Sequence, residues 1–139
     1  MAKIEGGCLC GQVRYSSAEQ PMMTGVCHCK SCQRQTGTSY SVIVAVSEAN
    51  LTVTGDSLSV FETVGDSGKP TRRRFCNQCG SPLFSTSEVL PDMAFVKAGT
   101  LDDTSWLEPQ MHIWCSEKQP WVVIDPKLAQ AEKNPQLGI

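Results

Sequence analysis

Short apolar, β-rich runs punctuated by polar turn residues recur along this chain, at Gln12 to Tyr15, Ser41 to Val46, Leu51 to Thr54, Leu58 to Thr63, Thr71 to Phe75, Met93 to Ala98 and Gln110 to Trp114. Runs of this length and composition predict strands, and their regular spacing predicts antiparallel sheet. Gly55-Asp56 and the stretch Gly65, Asp66, Ser67, Gly68 supply turn chemistry, because Gly tolerates positive φ and Asp bonds its own backbone, so hairpins are the expected connections. One helix is expected, from about Lys30 to Gln35, with Gly37 ending it. From Asp125 the chain carries two prolines and few apolar residues, which reads as a loosely attached tail. The expectation is a mainly β fold with one short helix: one domain over residues 5–125 and a C-terminal tail over 126–139.

Charge narrows the partners. The 139 residues carry 12 Lys and Arg against 14 Asp and Glu, a formal charge of -2 that gives no general attraction to nucleic acid or an anionic membrane. Arg72, Arg73 and Arg74 form a basic run, but on a strand they alternate between faces and make no stripe. The N-terminal stretch MAKIEGGCLCG lacks the charged and then apolar pattern of a secretory signal, and no apolar run approaches the roughly 18 residues that span a bilayer. A cytoplasmic protein with small-molecule partners is expected.

The cysteines change the picture most. Eight are present, seven of them in tight groups, and in a reducing compartment such spacing suits metal better than disulfides. Cys8 and Cys10 form a CxC, and Cys76 and Cys79 a CxxC within FCNQCGS. Four thiolates satisfy tetrahedral Zn²⁺, so a site built from these pairs is closed and structural, a staple for a small core. Cys27, Cys29 and Cys32 lie together in VCHCKSC, one ligand short of four. An open fourth position is what separates a catalytic zinc from a structural one. Cys115, in HIWCSEK, is a candidate to fill it and render the site inert.

Residues around this second group are candidates for substrate contacts. His28 sits between two ligands, where an extended backbone points its side chain away from them, so a supporting or substrate-facing role is expected. Lys30, Gln33 and Arg34 surround the group, and a cation there would favour thiolates and receive an anionic substrate. His112 reads as a structural histidine; Trp106, Trp114 and Trp121 read as packing residues, with Trp121 a candidate pocket wall. Three thiolates around Zn²⁺ leave a net charge of -1 and blunt it as a source of hydroxide, so binding a further thiol and presenting it to a carbonyl is the better-matched chemistry.

The segments GGCLCGQVRY, CHCKSCQRQTG, RRRFCNQCGSPL, AGTLDD and HIWCSEKQPW together resemble the glutathione-dependent formaldehyde-activating enzyme family, also called the centromere protein V/GFA domain family. The resemblance spans roughly Gly6 to Trp121 and takes in all seven grouped cysteines in order. It implies a β-tent fold, with Cys8, Cys10, Cys76 and Cys79 as structural zinc ligands and Cys27, Cys29 and Cys32 as catalytic zinc ligands. It further implies a carbon–sulfur lyase that joins glutathione and formaldehyde as S-hydroxymethylglutathione. The other expectation to be weighed is a zinc-scaffolded β-tent module that binds a protein partner and needs no open metal position.

Overall fold

A computed structural model describes residues 3–65 and 67–134. In chain order the elements are β1 (Ile4–Gly7), β2 (Arg14–Ser17), β3 (Met23–Cys27), α1 (Lys30–Thr36), β4 (Ser41–Ser47), β5 (Leu51–Thr54), β6 (Leu58–Val64), β7 (Pro70–Cys76), β8 (Pro82–Ser87), β9 (Leu90–Lys97), β10 (Met111–Ile113) and β11 (Ala129–Gln130). The fold is mainly β, as the pattern predicts. Of the described residues, 3–23 and 44–107 form one compact unit, and 24–43 with 108–134 form another.

In the first unit β1 pairs with β2, β2 with β5, β6 with β7, β7 with β8 and β8 with β9, all antiparallel. One sheet runs β1-β2-β5, and a second set of strands runs β9-β8-β7-β6. Ile4, Val13, Tyr15, Leu83, Val96 and the Val44–Val46 part of β4 supply its buried apolar side chains. The hairpin expected at Gly55-Asp56 does not form: β5 pairs with β2, whereas β6 pairs with β7. Gly55 instead carries the chain out of one sheet, at φ 114° and so close to the Gln12 carbonyl that a Cβ would lie 2.0 Å from that oxygen. Only glycine fits there.

The arginine run makes no basic stripe. Arg72 bridges Glu62 and Glu88, both at 3.1 Å, while Arg74 donates to Thr86 Oγ1 at 2.8 Å and lies over the Phe84 ring. Arg73 points to the opposite face and is buried.

The second unit departs from antiparallel pairing. β10 lies between β3 and β11 and runs parallel to both. Parallel neighbours need long connections, and the sequence supplies them, since β3 and β10 are far apart in the chain. Within the expected tail, residues up to Asn134 include paired backbone: β11 pairs with β10, and the N–H groups of Trp114 and Cys115 donate to Lys133 O and Ala131 O at 3.0 Å each. Backbone pairing, which side-chain composition does not reveal, holds it down. Residues 135–139 of the expected tail lie outside the described residues. Among the described residues no helix is long and apolar enough to cross a membrane.

Candidate metal centres

Two turns with similar chemistry build the first group of cysteines. Cys8 follows β1, Cys76 ends β7, and each turn closes on a glycine in the left-handed region, Gly11 at φ 82° and Gly80 at φ 80°. That conformation suits glycine, and it points backbone N–H groups inward. Val13 N–H donates to Cys8 Sγ at 3.3 Å and Gln78 N–H to Cys76 Sγ at 3.4 Å. The ligand atoms of Cys8, Cys10, Cys76 and Cys79 all lie within 4.8 Å of one another.

Two serines complete this environment. Ser57 Oγ lies 3.2 Å from Cys76 Sγ, and Ser81 Oγ lies 3.3 Å from Cys79 Sγ while accepting the Leu9 N–H at 3.0 Å. The Ser81 hydroxyl and backbone lower the Cys79 thiol to about 5, and the Ser57 hydroxyl lowers Cys76. At Cys10 a backbone hydrogen bond from Gln12 lowers the thiol, but desolvation and the sulfurs of Cys8, Cys76 and Cys79 outweigh it and push it up to about 12. Donors thus favour thiolates at two positions while crowding resists a further one, an arrangement that a cation among the sulfurs resolves. The donor set fits Zn²⁺. Ser81 adjoins the CxxC and could have been inferred from FCNQCGS, whereas nothing in the sequence marks Ser57.

The second group is assembled where β3 runs into α1. Cys27 ends the strand, Cys29 caps the helix and accepts the Cys32 N–H at 3.3 Å, and Cys32 is buried in the first turn. Their sulfurs also lie within 4.8 Å of one another, and among the described residues no fourth His, Cys, Asp or Glu joins them. Cys115 stays outside the group, with its thiol raised by burial. Hydrogen bonding with Cys29 and Cys32, together with burial, drives the Cys27 thiol far above its ordinary range. Cys29 is raised as well, the lowering contact with Cys27 being outweighed by Cys32 and burial. Three thiolates here also call for a cation, and the set fits Zn²⁺ with one position open.

Gln33 anchors this turn. Its amide nitrogen donates to His28 O at 2.7 Å and Glu117 O at 3.0 Å, and its amide oxygen accepts from Gln119 at 2.7 Å. Lys30 N–H donates to Glu117 Oε2 at 2.9 Å. The side chains of Lys30 and Arg34 lie on the exposed side of α1, and Gly37 ends the helix at φ 72° as the sequence predicts.

His28 is fully buried, so its ring does not face solvent. Its Nε2 is 2.9 Å from Nδ1 of His112, its ring meets Tyr40 edge-on, and its Nδ1 has no partner among the described residues. Burial, then His112 and Lys118, lower it to about 4, which keeps the ring neutral. His112 is buried too and lowered for the same first reason. Glu117 and Gln119, which tie to Lys30 and Gln33, lie just past Cys115 within HIWCSEKQPW, but as ordinary polar residues they carry no mark of these contacts in the sequence.

Residues 3–117 match the family model described as "Glutathione-dependent formaldehyde-activating enzyme". A relative from Halomonas elongata is 26% identical over 89% of this chain and 82% of its own length. One from Aspergillus flavus is 30% identical over 78% of this chain and 60% of its own, so the chain spans well under two thirds of that fungal relative. Both carry the name "Putative glutathione-dependent formaldehyde-activating enzyme". A crystal structure of a Rhodobacter sphaeroides protein superposes with a TM-score of 0.59 over 92% of this chain and 99% of that one, at 16% identity, which supports the fold.

Proposed function

Because the chain belongs to the glutathione-dependent formaldehyde-activating enzyme family, we propose that it is a zinc-dependent carbon–sulfur lyase that joins glutathione to formaldehyde as S-hydroxymethylglutathione. The observation that supports this most is the ligand count: three clustered sulfurs at Cys27, Cys29 and Cys32 with no fourth ligand among the described residues, beside a four-sulfur group elsewhere in the chain. Cys8, Cys10, Cys76 and Cys79 would hold a structural zinc, and the three-cysteine group a second, working one. Zinc at the second group would supply an open position that lowers the pKa of an incoming thiol.

The reaction balances without an oxidant. The thiol sulfur bonds the carbonyl carbon, the carbon–oxygen π bond opens, and the thiol proton ends on the new hydroxyl. The chain's own residues provide the setting. Gln33, by holding His28 O and Glu117 O, fixes the turn that carries Cys29 and Cys32. Lys30 and Arg34, exposed on α1, offer positive charge to the carboxylates of the tripeptide. His28, buried against His112, would support the turn between two ligands. A reducing cytoplasm keeps all seven thiols available.

Exchange spectroscopy on ¹³C-formaldehyde with glutathione tests the reading. The zinc-loaded protein is expected to raise the exchange rate above the spontaneous one, and Cys29→Ala to abolish that gain. No acceleration by a protein loaded with two zincs would overturn it and favour the binding module.

A further inference from the structure

We propose that β6 is a self-pairing edge through which two copies of this chain associate about a two-fold axis at Phe61. β6 ends the strand order β9-β8-β7-β6, and among the described residues no strand pairs with its outer edge. Natural edge strands are usually blunted by charged side chains, above all Lys, by Pro, a bulge or short length. β6 has seven residues, LSVFETV, with no Lys or Pro and no register shift against β7, and its one charge, Glu62, is paired with Arg72 of its own sheet. It also gathers exposed apolar surface: Val60 is 54%, Phe61 62% and Val64 66% exposed.

A second copy is the occupant because the strand is complementary to itself. In a two-fold antiparallel pair, opposed residues share a face, so only registers that keep the same alternation are allowed. Centring on Phe61 pairs the whole strand: Phe61 with itself, Val60 with Glu62, Ser59 with Thr63, and Leu58 with Val64. Shifting the axis to Glu62 sets two carboxylates directly opposite each other, and shifting it to Val60 shortens the overlap and takes Phe61 out of register with its copy.

Charge agrees with the central register. Val60 pairs with Arg74 and Glu62 with Arg72 across β7. Each Glu62 is held by its own Arg72, 3.1 Å away, and faces the uncharged Val60 of the other copy, while Arg74 is engaged with Thr86 and Phe84 on the side away from this edge. No like charges are opposed in this register. A pair of seven-residue strands buries less than the roughly 1,600 Å² of a standard interface, so the dimer is reversible.

Sedimentation equilibrium of the zinc-loaded full chain, from about 1 μM to about 1 mM, tests this. The expected result is a monomer–dimer equilibrium that Phe61→Lys weakens by more than about tenfold, since it removes the central aromatic pair and opposes two like charges. Val123→Lys, at a 92% exposed position in the other unit, is expected to leave it unchanged. Zinc content and far-UV circular dichroism confirm that the variants fold. A wild-type monomer throughout, a dimer indifferent to Phe61→Lys, or open-ended aggregates in place of a dimer would each overturn the proposal.

Discussion

In the first unit, four cysteines from two stretches far apart in sequence meet at the ends of strands, and serine hydroxyls and backbone N–H groups converge on their sulfurs. In the second, three cysteines come from six consecutive residues, and the support for them is one glutamine and a short helix. A site whose ligands come from distant segments exists only in the fold, so its binding energy adds to folding, whereas a six-residue turn can bring its ligands together locally. The same ligand chemistry would therefore have different consequences: a metal in the first group would consolidate a fold, and one in the second would occupy a local turn. Leaving one coordination position open costs the second group some affinity, and it is also what makes chemistry there conceivable.

The largest effect expected from this contrast is at Cys76. Cys76→Ala should lose the first metal and several kcal/mol of stability, a large share of the roughly 5–15 kcal/mol that holds a small domain. Zinc stoichiometry and urea unfolding followed by circular dichroism check it. Cys29→Ala should also lower zinc by one per chain, but at a cost of about 1–2 kcal/mol, because it removes a helix cap and a metal from a local turn. If the two variants cost the same, the distinction between a stapling centre and a working one fails.

Much of this contrast is legible in the sequence, because the cysteines come in local spacings, two distant pairs for the first centre and one triplet for the second. CxC, CxxC and CxCxxC are spacings, and Gly37 marks the helix end that the structure places there. What the sequence does not carry is pairing between distant strands. β1 and β8 escape a propensity reading because Gly6, Gly7 and Pro82 are poor strand residues, and β3 is short with Gly25 inside it. The parallel contacts of β10 leave no local trace, so the fastening of residues 129–134 is invisible until β11 is seen beside it. The supports are hidden likewise: Ser57, Glu117 and Gln119 are unremarkable polar residues until the fold brings them to a sulfur, an N–H and an amide.

A matched pair of supporting substitutions sharpens the comparison at smaller scale. Gln33→Ala leaves His28 O, Glu117 O and the Gln119 amide short of a partner, a cost of about 1–3 kcal/mol, and should weaken the second metal by about 10- to 100-fold. Ser57→Ala removes the hydroxyl that lowers the Cys76 thiol and should weaken the first metal over a similar range. Competition with a chelator reads both. The two variants should part in activity: formaldehyde exchange is expected to fall with Gln33→Ala and stay with Ser57→Ala.

The smallest expected effect is at Asp102, and it tests whether the first unit owes its stability to metal or to surface charge. Arg14 forms a two-pronged ion pair with Asp102, both side chains about half exposed, and that contact holds the carboxyl below its ordinary 3.8. A carboxyl whose folded pKa is depressed contributes stability above the unfolded value and loses it as pH falls through the folded one. Asp102→Asn should therefore lower Tm slightly at pH 7, the gap should close on acidification below 3.8, and added salt should shrink it, since exposed pairs are screened. Comparing variant with wild type at each pH cancels the metal released by protonating thiolates, which both share. A drop at pH 7 as large as that of Cys76→Ala would place the first unit's stability in its surface electrostatics and remove the reason for treating its four-sulfur group as the staple.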